Sequence, residues 1–87
     1  MIETRQQLLQ RIVIIPGVCG GKPIIRGHRM TVGMVIGMLA DGASQEDLLK
    51  DYEWLEKDDI LACLLFASRM LEMKRYINIP VADPIAS

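Results

Sequence analysis

A change of hydrophobic period at Thr31 divides this chain in two. Ahead of it, Arg11 to Pro16 (RIVIIP) is dense in β-branched residues and stops at a proline, which predicts a strand. GVCGGK supplies a turn, and Pro23 to Gly27 (PIIRG) predicts a second short strand, which HRMTV either continues or bends out of. Both prolines stand at strand ends, where a missing N–H does least harm. Behind Thr31 the apolar residues recur at helical spacing. Thr31 is the predicted N-cap of a helix carrying Val32, Val35, Ile36 and Leu39, with Gly42 as its stop. Ser44 caps a second helix, with Asp47 completing an imperfect capping box and Leu48, Leu49 and Tyr52 facing inward. A third helix is predicted from Lys57 to Lys74, opened by Asp58 and Asp59 and closed by Lys74 and Arg75, both favourable to its dipole. The expected fold is therefore mainly α, an N-terminal β-hairpin followed by three helices in helix-turn-helix outline. Residues 1–10 form an arm, either a short helix or loose chain. Residues 11–75 form the domain, and 76–87 an extended tail whose prolines bar a helix.

The third helix has more apolar surface than one face needs. Ile60, Leu64, Ala67 and Leu71 make one stripe, and Leu61, Leu65 and Phe66 broaden it past half the circumference. A chain of 87 residues holds one domain and buries a modest share of its surface, yet 51% of this one is hydrophobic. Another chain is expected to cover the excess. A homodimer built from Leu61, Leu65 and Phe66 together with Val13 and Ile15 of the hairpin satisfies it. Cys19 and Cys63 match no metal or redox spacing and are expected as two buried thiols in a reducing cytoplasm. No secretory signal and no bilayer-spanning run is expected in the sequence, and a cytoplasmic location follows.

The cations cluster. Lys22, Arg26, His28 and Arg29 occupy a stretch without a single acid, in a chain whose net charge is −1. A phosphate loop of the Gly-x-x-x-x-Gly-Lys-Ser/Thr kind is excluded, because Pro16 stands where its first glycine belongs and Pro23 follows Lys22 in place of the hydroxyl. Catalysis finds no footing. His28 is the one histidine, expected as an ordinary surface residue, and adjacent Asp58 and Asp59 diverge by about 100° on a helix. No enzyme, no catalytic set, no cofactor and no metal are expected. In a helix-turn-helix the start of the third helix would enter the major groove. Here four acids and one lysine between Glu53 and Asp59 give that start a charge of −3, which repels phosphate. The hairpin is the better DNA candidate, through Lys22, Arg26, His28 and Arg29, since a two-stranded ribbon fits the major groove. The competing reading is a solvated edge strand guarded by basic residues against aggregation.

From Ile15 to Ala67, about three-fifths of the chain, the sequence resembles the domain-of-unknown-function family 433. The residues that carry the resemblance are Gly21-Lys22-Pro23-Ile24-Ile25-Arg26-Gly27, Arg29, Val32, Gly42, Ser44, Tyr52, Leu55, Asp59-Ile60 and Ala62. The resemblance implies a β-hairpin followed by a homeodomain-like trihelical unit. It also implies a role like that of VapB-type antitoxins, which partner PIN-domain ribonuclease toxins. The chain departs from the family pattern in three places. His28 replaces a threonine, Glu53-Trp54 replaces a proline step, and Glu56 takes a threonine helix-cap position. The leading expectation is a dimeric antitoxin-like protein whose basic hairpin touches operator DNA. Its tail, through Tyr76, Ile77, Ile79 and Val81, would fold onto a PIN-type toxin. The alternative is a dimeric protein-interaction module that binds no DNA.

Overall fold

The computed structural model describes residues 4–73. Among the described residues the order is helix α1 (Arg5–Leu9), strand β1 (Ile12–Val13), strand β2 (Ile24–Ile25) and helices α2 (Val32–Ala40), α3 (Gln45–Asp51) and α4 (Lys57–Met73). The protein is thus mainly helical with one short antiparallel hairpin ahead of a three-helix unit.

The arm that the sequence left undecided is helical over Arg5–Leu9. Thr4 caps α1 by accepting from Gln7 N–H, and the Gln7 side chain accepts in return from Thr4 N–H. This reciprocal pair closes both orphan donors locally. A five-residue helix is marginal alone, so its persistence comes from packing along α4.

β1 and β2 pair as Ile12↔Ile25 and Val13↔Ile24, shorter strands than the two β-branched runs led one to expect. The reason lies in the second half of the hairpin motif. Instead of continuing straight, the chain turns at Arg26-Gly27, where His28 N–H donates to Ile25 O, and doubles back so that Thr31 bridges to Ile24. β2 is therefore flanked on both sides. Arg26 N–H donates to Arg11 O at 2.7 Å, and Val32 N–H donates to Pro23 O at 3.0 Å. This central placement buries both Ile24 and Ile25.

The helices begin where their caps stand. Thr31 Oγ1 accepts from Met34 N–H at 3.0 Å, and Ser44 with Asp47 forms the reciprocal capping box. α2 ends in a Schellman motif, with Ala43 N–H on Met38 O, Gly42 N–H on Leu39 O and Gly42 at φ +105°. The core gathers Ile25, Met30, Val32, Val35, Leu48, Leu55, Ile60 and Cys63. It therefore draws on the hairpin, all three helices of the unit and the turns between them. The two thiols part company. Cys63 is buried as expected, whereas Cys19 is half-buried in the turn at φ +50°, its Sγ set against Arg29 O at 3.5 Å.

Candidate interaction site

The hairpin places its four basic residues in different settings. Lys22 and Arg29 are exposed, and among the described residues neither has a carboxylate within 4 Å. Arg26 is exposed too, but its Nε donates to Gln10 O at 3.1 Å, which pins the side chain across the end of α1. His28 departs from expectation. It is half-buried, not an ordinary surface residue, because its imidazole lies flat on the indole of Trp54, with centroids 3.7 Å apart and planes 12° apart. Among the described residues, two of the four cationic candidates, Lys22 and Arg29, thus have no carboxylate partner.

The start of α4 is organised around Arg11. Its Nη1 donates to Glu56 Oε1 at 2.7 Å and to Asp59 Oδ1 at 2.9 Å, and Nη2 lies 3.9 Å from Asp58 Oδ2. Asp59 also accepts from Glu56 N–H through Oδ2 at 2.9 Å, closing the helix start from its third position, since Glu56 offers no short capping hydroxyl. With its side chain only 8% exposed, Asp59 depends on these bonds. Among the described residues no buried side-chain nitrogen or oxygen lacks a partner. One turn further along α4, the Cys63 thiol is pushed up to about 12 by burial and, secondarily, by the Asp59 charge.

Between the hairpin and this helix start lies an open cleft of about 680 Å³, lined by His28, Trp54, Glu56, Asp59, Arg11, Arg26 and neighbouring residues of α1 and β2. All three departures from the family pattern, His28, Trp54 and Glu56, meet in it. Sequence reasoning missed Arg11, Trp54 and Glu56 as site residues. The available signal was Trp54 itself, the sole tryptophan of the chain, set in a polar turn.

The dimer candidates also separate. Phe66 packs against the chain's own core, and Val13, Leu61 and Leu65 are half-buried. Ile15 is exposed, together with Ile14, Leu64 and Leu71. The tail candidates Tyr76, Ile77, Ile79 and Val81, like Lys74 and Arg75, lie outside the described residues. Among the described residues no helix is long and apolar enough to cross a membrane, and no group of three His, Cys, Asp or Glu side chains is arranged to hold a metal ion.

A family model described as "Protein of unknown function (DUF433)" matches residues 12–67, from β1 to the middle of α4. The chain belongs to the DUF433 family. The DUF433 fold seen here is similar to the crystal structure of a DUF433 member protein from Anabaena variabilis ATCC 29413, with a TM-score of 0.70 and 34% identity over 78% of this chain and 67% of that one. No curated protein matches the chain. The DUF433 match contains His28, Trp54 and Glu56, while Arg11, which gathers the acids, stands one residue ahead of it.

Proposed function

We propose that this DUF433 protein is an antitoxin-like adaptor that works by binding protein, pairing with a second copy of itself and with a nuclease toxin of PIN type. The observation that carries this reading is the apolar surface left uncovered on α4. Ile60, Ala62 and Cys63 are buried, whereas Leu64 and Leu71, further along the Ile60 stripe, are 38% and 59% exposed, and Leu61 and Leu65 beside them stay half-covered. Ile14, 59% exposed, adds apolar surface on the hairpin. Apolar surface of this kind on so small a domain favours a covering chain. The toxin class comes from the resemblance to VapB-type antitoxins.

Operator contact is the second component, and the hairpin supports it better than α4 does. Lys22 and Arg29 are exposed with no carboxylate of the described residues within 4 Å, and in a dimer each would count twice. The start of α4, with Glu56, Asp58 and Asp59 drawn onto one arginine, opposes groove entry. That same acidity favours the alternative, a module that binds protein and no DNA.

The test is co-expression of the full chain with a PIN-type nuclease from the same organism, followed by light scattering and a ribonuclease assay. A stoichiometric complex containing two copies of this chain, with the nuclease silenced, is the expected result. A monomer that leaves the nuclease active rejects the reading.

A further inference from the structure

The cleft beside α4 has a chemical character that the pairing proposed above does not use. Its lining includes the stacked rings of His28 and Trp54. An aromatic face attracts planar cations, because the ring quadrupole is negative over its plane. Next to those rings sits a carboxylate cluster, Glu56, Asp58 and Asp59, gathered on the single guanidinium of Arg11. Of the charged groups that line the cleft, Arg11 and Arg26 face Glu56 and Asp59, and Asp58 stands outside the lining, 3.9 Å from Arg11 Nη2. Glu56, 67% exposed, is the carboxylate of this cluster most open to an incoming group.

We propose that this cleft receives an arginine side chain from a basic segment of a partner protein, stacked on the His28–Trp54 pair and charge-paired with Glu56. The proposal rests on the reading of the chain as a protein-binding module, but not on the identity of the toxin. Arginine fits where lysine does not. The guanidinium is planar, weakly hydrated and able to lie on a ring while donating sideways to a carboxylate, whereas an ammonium is a compact, strongly hydrated point charge. A nucleobase could stack on the same rings, but it would bring phosphate toward the three acids, and Arg26 already spends its Nε on Gln10 O. The cleft volume, about 680 Å³, leaves room for the backbone that carries such a side chain.

Trp54 is the sole tryptophan, so its emission reports on the cleft alone. The full chain is titrated at constant ionic strength with N-acetyl-arginine amide, N-acetyl-lysine amide and adenosine monophosphate. The expected result is a saturable change with the arginine probe, at least about fivefold weaker for the lysine probe and absent for the nucleotide. Glu56→Gln, which leaves the Arg11–Asp59 bond in place, should weaken the arginine probe about fivefold. The indole Nε1–H resonance gives a second readout for each titration and shows that the variant is folded. Equal non-saturating responses to arginine and lysine, undiminished binding in Glu56→Gln, or saturable binding of the nucleotide instead would each overturn the proposal. The titration needs no partner, so the cleft stands or falls separately from the toxin pairing.

Discussion

Arg11 Nη1 meets Asp59 Oδ1 at 2.9 Å across 48 residues of sequence, and this contact joins the segment between α1 and β1 to the first turn of α4. It makes Asp59 a satisfied buried acid. Removing the cation leaves this carboxylate, 8% exposed, with one backbone donor. Arg11→Ala should therefore cost roughly 2–4 kcal/mol in urea unfolding. Glu56→Gln, at an exposed position on the same arginine, should cost less than about 1 kcal/mol. If the two variants unfold at the same midpoint, the Arg11–Asp59 bond does not hold this junction.

Helix α2 depends on the Thr31 hydroxyl for its first free N–H groups. Thr31→Ala should lower stability by about 1 kcal/mol, and Thr31→Ser should restore most of it. Equal losses in both variants would assign the effect to the methyl group and its packing, not to the cap.

The cap at Ser44 has a titratable half. The Ser44 backbone N–H and then its hydroxyl hold the Asp47 carboxyl below its ordinary value of 3.8. A group depressed in the folded state contributes stability above its unfolded pKa, and that contribution is lost as pH falls through the folded value. Carbon-detected NMR titration should place Asp47 below 3.8, and Ser44→Ala should move it upward. An unchanged Asp47 in that variant would contradict the assignment.

The two thiols should react at very different rates. At pH 8, iodoacetamide should modify half-buried Cys19 and leave Cys63 intact in the folded chain, as peptide mass mapping would show. Cys63 is raised from 9.0 to about 12 in the folded state, so its neutral form stabilises the fold below pH 9, and that contribution is lost as pH rises toward 12. Alkaline unfolding should steepen in this window, and Cys63→Ala should flatten the slope. A slope that persists in the alanine variant would point to another group.

Two glycines should answer in opposite directions. Gly27 turns the hairpin at φ +84°, where an L side chain is strained although a Cβ meets nothing within 4 Å. Gly27→Ala should cost about 1–2 kcal/mol. Gly37 lies on the exposed side of α2 with an ordinary helical φ and open space at its Cβ. Gly37→Ala should stabilise the chain by up to about 1 kcal/mol. Thermal melts that shift both variants the same way would refute this account.

For operator contact, the two projecting cations of each protomer, four in a dimer, should carry the salt dependence. Four phosphate contacts imply a loss of roughly a hundredfold in affinity between about 50 and 200 mM salt. Lys22→Ala with Arg29→Ala should remove most of that slope, whereas Arg26→Ala should remove little of it. A slope that survives the double variant would place the contact elsewhere on the molecule.

Much of the architecture was readable along the chain because its signals are local. Thr31, Gly42, Ser44 and Asp47 act on backbone groups within a few residues, and the structure places each cap and stop where the sequence put it. The candidate site was less readable. Arg26, His28, Lys22 and Arg29 look equivalent in the sequence, yet one is pinned to a carbonyl of residue 10 and another is stacked on residue 54. Phe66 belongs to an over-wide apolar stripe in the sequence, and packing against the core accounts for part of that width.

The amino-acid sequence alone determined the hairpin, the three helices with the caps of the first two, and the acidity of the helix start, since propensity, period and capping operate over a few bonds of backbone. Tertiary structure decided which charges remain outward, where the acids of α4 find their counter-ion and how Trp54 and His28 come to form one surface. Those outcomes depend on groups that meet only after the arm, the hairpin and α4 have packed together, and no short-range pattern encodes that meeting.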